Sequence, residues 1–175
     1  MVNVILLLVV LIVALLAFAA TRPDSFSVQR SIRINAPAEA VWPLLTDFHR
    51  WPEWSPWEKL DPAMQRTHSG SANGVGAVYE WNGNNKVGAG RMEITQATAH
   101  TQVSMKLDFL RPFKSSNVAE YALTSQGGAT NVTWVMSGPA TFITKLMGVF
   151  VSMDKMVGKD FEEGLAKMKT VAEKG

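Results

Sequence analysis

The sequence predicts an α+β protein: a curved antiparallel sheet of about seven strands wrapped on a long C-terminal helix. Short helices follow the first strand, and a transmembrane helix precedes the whole. Three observations carry this prediction. Residues 1–20 hold nineteen apolar residues, Asn3 and no charge. Residues 57–138 alternate apolar and polar side chains between glycine-bearing breaks, the period of half-buried strands. Residues 141–173 change to the period of a helix.

The apolar run Val2–Ala20, read as a helix rising ~1.5 Å per residue, spans ~28 Å, close to the thickness of a bilayer's hydrocarbon core. A single-pass anchor is the leading reading. A cleaved signal peptide is the rival, because Ala17-Phe18-Ala19 has a small-x-small pattern, although no positive residue precedes the run. A buried helix is the third. Arg22, Arg30 and Arg33 favour a cytoplasmic domain, the signal-like features favour the opposite side, and the side stays open. The expected division is an anchor at 1–21, a linker at 22–25 and one water-soluble domain at 26–175.

Within that domain, Phe26, Val28, Ile32 and Ile34 share one face of a first strand, with the charged Arg30 on the same parity. Pro37 and Glu39 suit a helical first turn, and Val41, Trp42, Leu44, Leu45 and Phe48 follow as a short amphipathic helix. The segment Trp51-Pro52-Glu53-Trp54-Ser55-Pro56-Trp57 carries too much proline for a regular helix or a central strand. It suits a lid, a patch dipping into lipid, or a rigid packed loop. Strands are then expected near 57–68, 75–82, 87–98, 101–110, 115–125 and 130–138, short loops making neighbours antiparallel. On a helical wheel Phe142, Ile143, Leu146, Met147, Met153, Val157, Phe161, Leu165, Met168 and Val171 lie within about 80° of Phe150, one amphipathic helix with a candidate break at Gly148.

Composition narrows the function. The 17 basic and 15 acidic residues leave a net charge of +2 with no basic run, so nucleic acid is not an expected partner. The absence of cysteine excludes disulfides, thiolate metal sites and Cys nucleophiles. His49, His68 and His100 lack the spacing of a metal site or a triad, and Gly88-Ala89-Gly90 lacks the third glycine of a dinucleotide loop. No metal or cofactor is expected. Glu58, Asp61, Glu80 and Glu93 alternate with apolar neighbours and read as solvated.

The strings Ile32-Arg33-Ile34-Asn35-Ala36-Pro37-Ala38-Glu39-Ala40-Val41-Trp42 and Asp47-Phe48-His49-Arg50-Trp51-Pro52-Glu53-Trp54-Ser55-Pro56-Trp57, with Thr133-Trp134 leading to Gly138, resemble the START/Bet v1-like (SRPBCC) superfamily and its polyketide cyclase/dehydrase-like branch. The resemblance implies the helix-grip fold and a hydrophobic cavity between sheet and C-terminal helix. It implies no single chemistry, since the superfamily holds carriers, receptors and cyclases.

On that expectation Trp54, Trp57, Tyr79, Trp81, Met92, Met105, Phe109, Tyr121, Trp134, Met136, Phe150, Met153 and Phe161 are the candidate cavity residues, because Met and aromatic side chains adapt to irregular apolar ligands. The same stripes also suit a filled core. Arg30 and Asp154 both fall among apolar positions, so each needs a partner. They either meet or fix a ligand head group at a polar end of the cavity, or else reach solvent separately. The function expected first is membrane-tethered binding of a hydrophobic small molecule or lipid. A cyclase, dehydratase or hydrolase of an aromatic or polyketide-like substrate, with Glu93, Tyr121 or Asp154 as acid or base, is the second. A non-catalytic interaction module is the third.

Overall fold

A computed structural model describes residues 2–175. The chain begins with helix α1 (Val2–Ala20) and continues through β1 (Ser25–Ile34) and α2 (Ala38–Thr46). Two 3-10 turns, Phe48–Glu53 and Pro56–Lys59, lead to β2 (Gln65–Gly70), β3 (Ala77–Asn82), β4 (Ala89–Thr98), β5 (Gln102–Arg111), β6 (Ser115–Gln126) and β7 (Ala129–Pro139). Helices α3 (Phe142–Phe150) and α4 (Met153–Ala172) close the chain.

The seven strands form one antiparallel sheet in the order β1-β7-β6-β5-β4-β3-β2. Each strand pairs with its chain neighbour through a short loop, apart from β1, which returns along β7 over its full length from Ser25 opposite Pro139 to Ile34 opposite Thr130. The expected strands near 75–138 all form, with ends shifted by a residue or two. The first expected strand, 57–68, is half a strand. Pro56 opens a 3-10 turn through Lys59, and the sheet begins only at Gln65. A proline fixed near the helical φ suits the first position of a helical turn, and it lacks the N–H that a ladder needs.

The C-terminal helical stretch is two helices. Its break lies at Val151–Ser152, past Gly148, where the Ser152 side chain accepts a hydrogen bond from Lys155 N and caps α4. Helix α4 buries Phe161, Leu165 and Met168 against the sheet. Full burial of side chains this size contributes ~1.5–3 kcal/mol each. Helix α3, apolar as it is, buries none of its residues. Helix α1 stands outside the core with its apolar side chains largely exposed; among its described residues only Ala19 is buried, and the helix packs on α3.

The Trp-rich segment is a packed floor. Trp54 is fully buried and donates from Nε1 to the Leu44 carbonyl at 2.9 Å. Its ring meets those of Trp51, Tyr121 and Trp134. With Trp51 and Trp54 inside, the segment is packed against the core and does not present these indoles to lipid.

Candidate functional site

Between the sheet and α4 lies a cavity of about 210 Å³. Strand alternation builds its walls, because residues two apart face the same side of a sheet. Tyr79 and Trp81 of β3, Leu107 and Phe109 of β5, Ala119 and Tyr121 of β6, and Trp134 and Met136 of β7 all line it. The register sets them in rows: Tyr79 lies opposite Met92 and Met92 opposite Leu107, while Tyr121 lies opposite Trp134. Trp81 extends over the bare backbone of Gly90, where an added Cβ would stand 2.3 Å from its ring. From α4, Phe161 stacks on Trp134 with centroids 3.9 Å apart, and Trp57 meets both rings edge-on.

One end of the cavity is polar. Glu58, in the Pro56–Lys59 turn, has a side chain only 5% exposed. Its Oε1 accepts from the Tyr79 hydroxyl at 2.5 Å, and its Oε2 accepts from Arg66 Nε at 2.6 Å. Burial, and then the neighbouring Glu58 carboxylate, push the Tyr79 phenol far above its usual range, so Tyr79 stays a donor. Burial alone does the same to Tyr121. The Tyr121 hydroxyl and the indole N–H groups of Trp51 and Trp134 are buried with no hydrogen-bond partner among the described residues. All three belong to residues lining the cavity. An unpaired buried donor costs ~1–3 kcal/mol, which an acceptor oxygen on a bound molecule would recover.

Of the candidate residues, Trp57, Tyr79, Trp81, Met92, Phe109, Tyr121, Trp134, Met136 and Phe161 line this cavity. Trp54 and Met105 are fully buried behind it in filled core. Met153 lines a second cavity of about 200 Å³, whose wall shares Phe109, Met136 and Val157 with the first. Phe150 lies outside both and is 72% exposed.

Arg30 and Asp154 meet, but not at the cavity. Arg30 Nη1 and Nη2 donate to the two Asp154 carboxylate oxygens at 2.7 and 3.1 Å, and Nε donates to Glu162 at 2.7 Å, on the outer side of the β1–α4 contact. The wheel misplaced Phe150 because it ran a continuous helix through Val151–Ser152, where the break resets the phase. Asp154 keeps the face of Phe161, seven residues on, but stands in the exposed first turn of α4, where Arg30 meets it. Glu58 is the converse error. Read on a strand it faces solvent, whereas the 3-10 turn after Pro56 carries it inward. Asp61 is also buried, accepting from Ala63 N and Asn84 N. Glu93 pairs with Arg91 away from the cavity, so neither it nor Asp154 can serve there as acid or base.

His49 and His68, apart in sequence, stack with centroids 4.1 Å apart, and His100 meets Trp42 edge-on. Among the described residues no group of three or more His, Asp or Glu side chains is placed to hold a metal ion.

A sheet closed by a helix over an apolar cavity defines a ligand-binding class, and comparison with known proteins gives it a family. Residues 25–173 match the family described as polyketide cyclase / dehydrase and lipid transport, and the chain belongs to that family. No curated protein matches the sequence. Among solved structures it is similar to DynU16, of the dynemicin biosynthetic locus, at 17% identity and a TM-score of 0.58. That match covers 87% of this chain, which spans about half (48%) of DynU16. Protein MLL2253 from Mesorhizobium loti aligns at 18% identity with a TM-score of 0.60, covering 85% of this chain and 98% of that one. The Bet v1-like Ara h 8.0201 aligns at 11% identity with a TM-score of 0.55, covering 86% and 96%. At these identities the shared property is the fold.

Proposed function

We propose that the protein binds a hydrophobic small molecule or lipid bearing at least one acceptor oxygen, under α4, while α1 tethers the domain to a membrane. The observation that carries this reading is the cavity, walled by aromatic and Met side chains, three of whose lining residues, Trp51, Tyr121 and Trp134, hold buried donors with no partner among the described residues. Each CH₂ taken from water contributes ~0.8 kcal/mol, and an acceptor oxygen fixes orientation. Tethering raises the effective concentration of domain and membrane-dissolved ligand for each other. The 19-residue apolar helix α1, almost wholly outside the core, supports the tether.

The test is a native mass spectrum of the full chain released from detergent micelles, followed by solvent extraction. The expected result is a bound, oxygen-bearing apolar mass recovered unchanged. A protein at its apo mass in every preparation would overturn the carrier reading.

A second reading is a cyclase, dehydratase or hydrolase. The Tyr79–Glu58 contact of 2.5 Å favours it, since a shielded carboxylate hydrogen-bonded to a phenol at a cavity wall can exchange protons with a bound carbonyl compound. Conversion of a polyketide-like substrate, abolished by Glu58→Gln with binding retained, would establish it.

A further inference from the structure

We infer that α3 and the β5–β6 turn form a surface that lies in the membrane interface and carries the mouth of the second cavity. This inference names where the proposed ligand is taken up, and so rests on the binding reading above.

The first observation is an apolar helix without a core. Six of the nine residues of α3 are apolar, none is buried, and Phe142, Ile143, Met147 and Phe150 are the exposed ones. Phe113, in the β5–β6 turn, and Val151 and Met156, beside the helix break, extend the exposed set. A cluster of this kind marks a surface that meets another apolar phase.

The second observation identifies the phase. Helix α3 is the element on which α1 packs. Arg22, just past α1, donates to the Gly148 carbonyl at 3.2 Å, and Lys145 of α3 pairs with Asp24 of the linker. The candidate span and α3 are therefore fixed side by side, and a bilayer holding α1 would meet α3 at its surface. Exposed Arg22, Lys114 and Lys155 flank the apolar side chains, the pattern of interfacial segments that seat apolar groups among acyl chains and cations among lipid phosphates.

The third observation is the cavity at this place. Pro112 and Phe113 of the turn, with Met147, Val151, Met153 and Met156 of the helices, line it. Phe109, Met136 and Val157 line both it and the inner cavity. Separately the two volumes fall short of the ~300–1,000 Å³ usual for ligand pockets; joined, they enter that range. A molecule leaving the acyl layer at Phe113 and Phe150 would pass the Phe109 ring, the flexible Met136 and the small Val157 to reach Trp134 and Tyr121.

The chain has no cysteine, so single nitroxide labels can be placed through Phe150→Cys and Phe113→Cys, with Asn73→Cys in the β2–β3 turn as an aqueous control. The full chain is reconstituted into vesicles of phosphatidylcholine and phosphatidylglycerol, and collisions with oxygen and with a nickel chelate are compared. Oxygen should dominate at 113 and 150, and the chelate at 73. Chelate dominance at 113 and 150 would place the surface in water and overturn the inference. Shielding from both reagents would mean a protein cover and would overturn it equally. As a second readout, Phe142→Glu with Phe150→Glu, at exposed residues that line neither cavity, should lose most of the rate at which a dansyl-labelled acyl probe passes from vesicles to the protein, with binding from water retained; an unchanged rate would overturn the uptake role. A protein always at its apo mass, with labels still among acyl chains, would sink the ligand but support the bilayer contact.

Discussion

The guanidinium of Arg30 packs against Gly158, occupying the space a side chain there would need. A Cβ added at 158 would stand 2.1 Å from Nη2, inside any permitted contact. Asp154 and Glu162, one turn before and one turn after Gly158, take the Arg30 donors at 2.7 Å each. A glycine in the middle of α4 thus makes the groove through which a strand residue crosses the helix to reach two carboxylates.

This geometry fixes the outcome of Gly158→Ala. Alanine gains ~1 kcal/mol over glycine in a helix interior, while moving Arg30 aside gives up its ion pairs with both Asp154 and Glu162. In the wild-type background the change should bring no net stabilisation. In Arg30→Met, with the groove vacant, it should stabilise by ~1 kcal/mol. Urea unfolding of the four proteins in detergent measures the coupling, and equal effects in both backgrounds would contradict the contact.

Asp154 also makes stability depend on acid. The hydrogen bond from Arg30 holds its carboxyl below the usual 3.8. A carboxyl with a depressed native pKa stabilises fully above its unfolded value and loses that contribution as pH falls through the native value. The melting temperatures of wild type and Asp154→Asn should differ at neutral pH and converge as pH drops below 3.8. A constant gap would contradict the assignment.

At the cavity, Arg66→Met should destabilise by ~3 kcal/mol, because it leaves the Glu58 carboxylate shielded without its counter-charge. Adding Glu58→Met should restore much of the loss, since a pair replaced by apolar groups of similar volume leaves no orphaned charge. Chemical denaturation of single and double variants decides this; additive losses would show that the two side chains act separately.

Filling the cavity separates binding from folding. Ala119 lines it opposite Met136, so Ala119→Phe should place a ring in the void at a cost under ~1.5 kcal/mol. Binding of an apolar fluorescent probe should fall at least about tenfold, a change of ~1.4 kcal/mol. Retained binding would locate the ligand elsewhere.

The order of elements was legible because it rests on period and punctuation. Alternation around Tyr79, Met105, Tyr121 and Trp134, glycine-bearing turns, and a helical stripe from Phe161 to Met168 are properties of neighbouring residues in the chain. Backbone geometry converts them directly into strands, turns and a helix. Seven of the nine wall residues stand on strands, where alternation assigns a face, and Phe161 came from the helical stripe; the family resemblance indicated which face borders a cavity.

What alternation could not assign was depth along that face. Met105 and Trp134 share a parity, yet one lies in filled core and the other at a void, which depends on the distance from sheet to helix. Nor could a uniform period register two local interruptions. Pro56 turned Glu58 from a solvated strand position to a cavity wall, and the break at Val151–Ser152 moved Phe150 out of the stripe. The sequence by itself determined the elements, their order and the faces they bury, because those follow from backbone repeats of two and 3.6 residues. Only the tertiary structure decided where the cavity lies, which charges meet and which apolar helix is left uncovered, because these depend on distances between segments far apart in the chain.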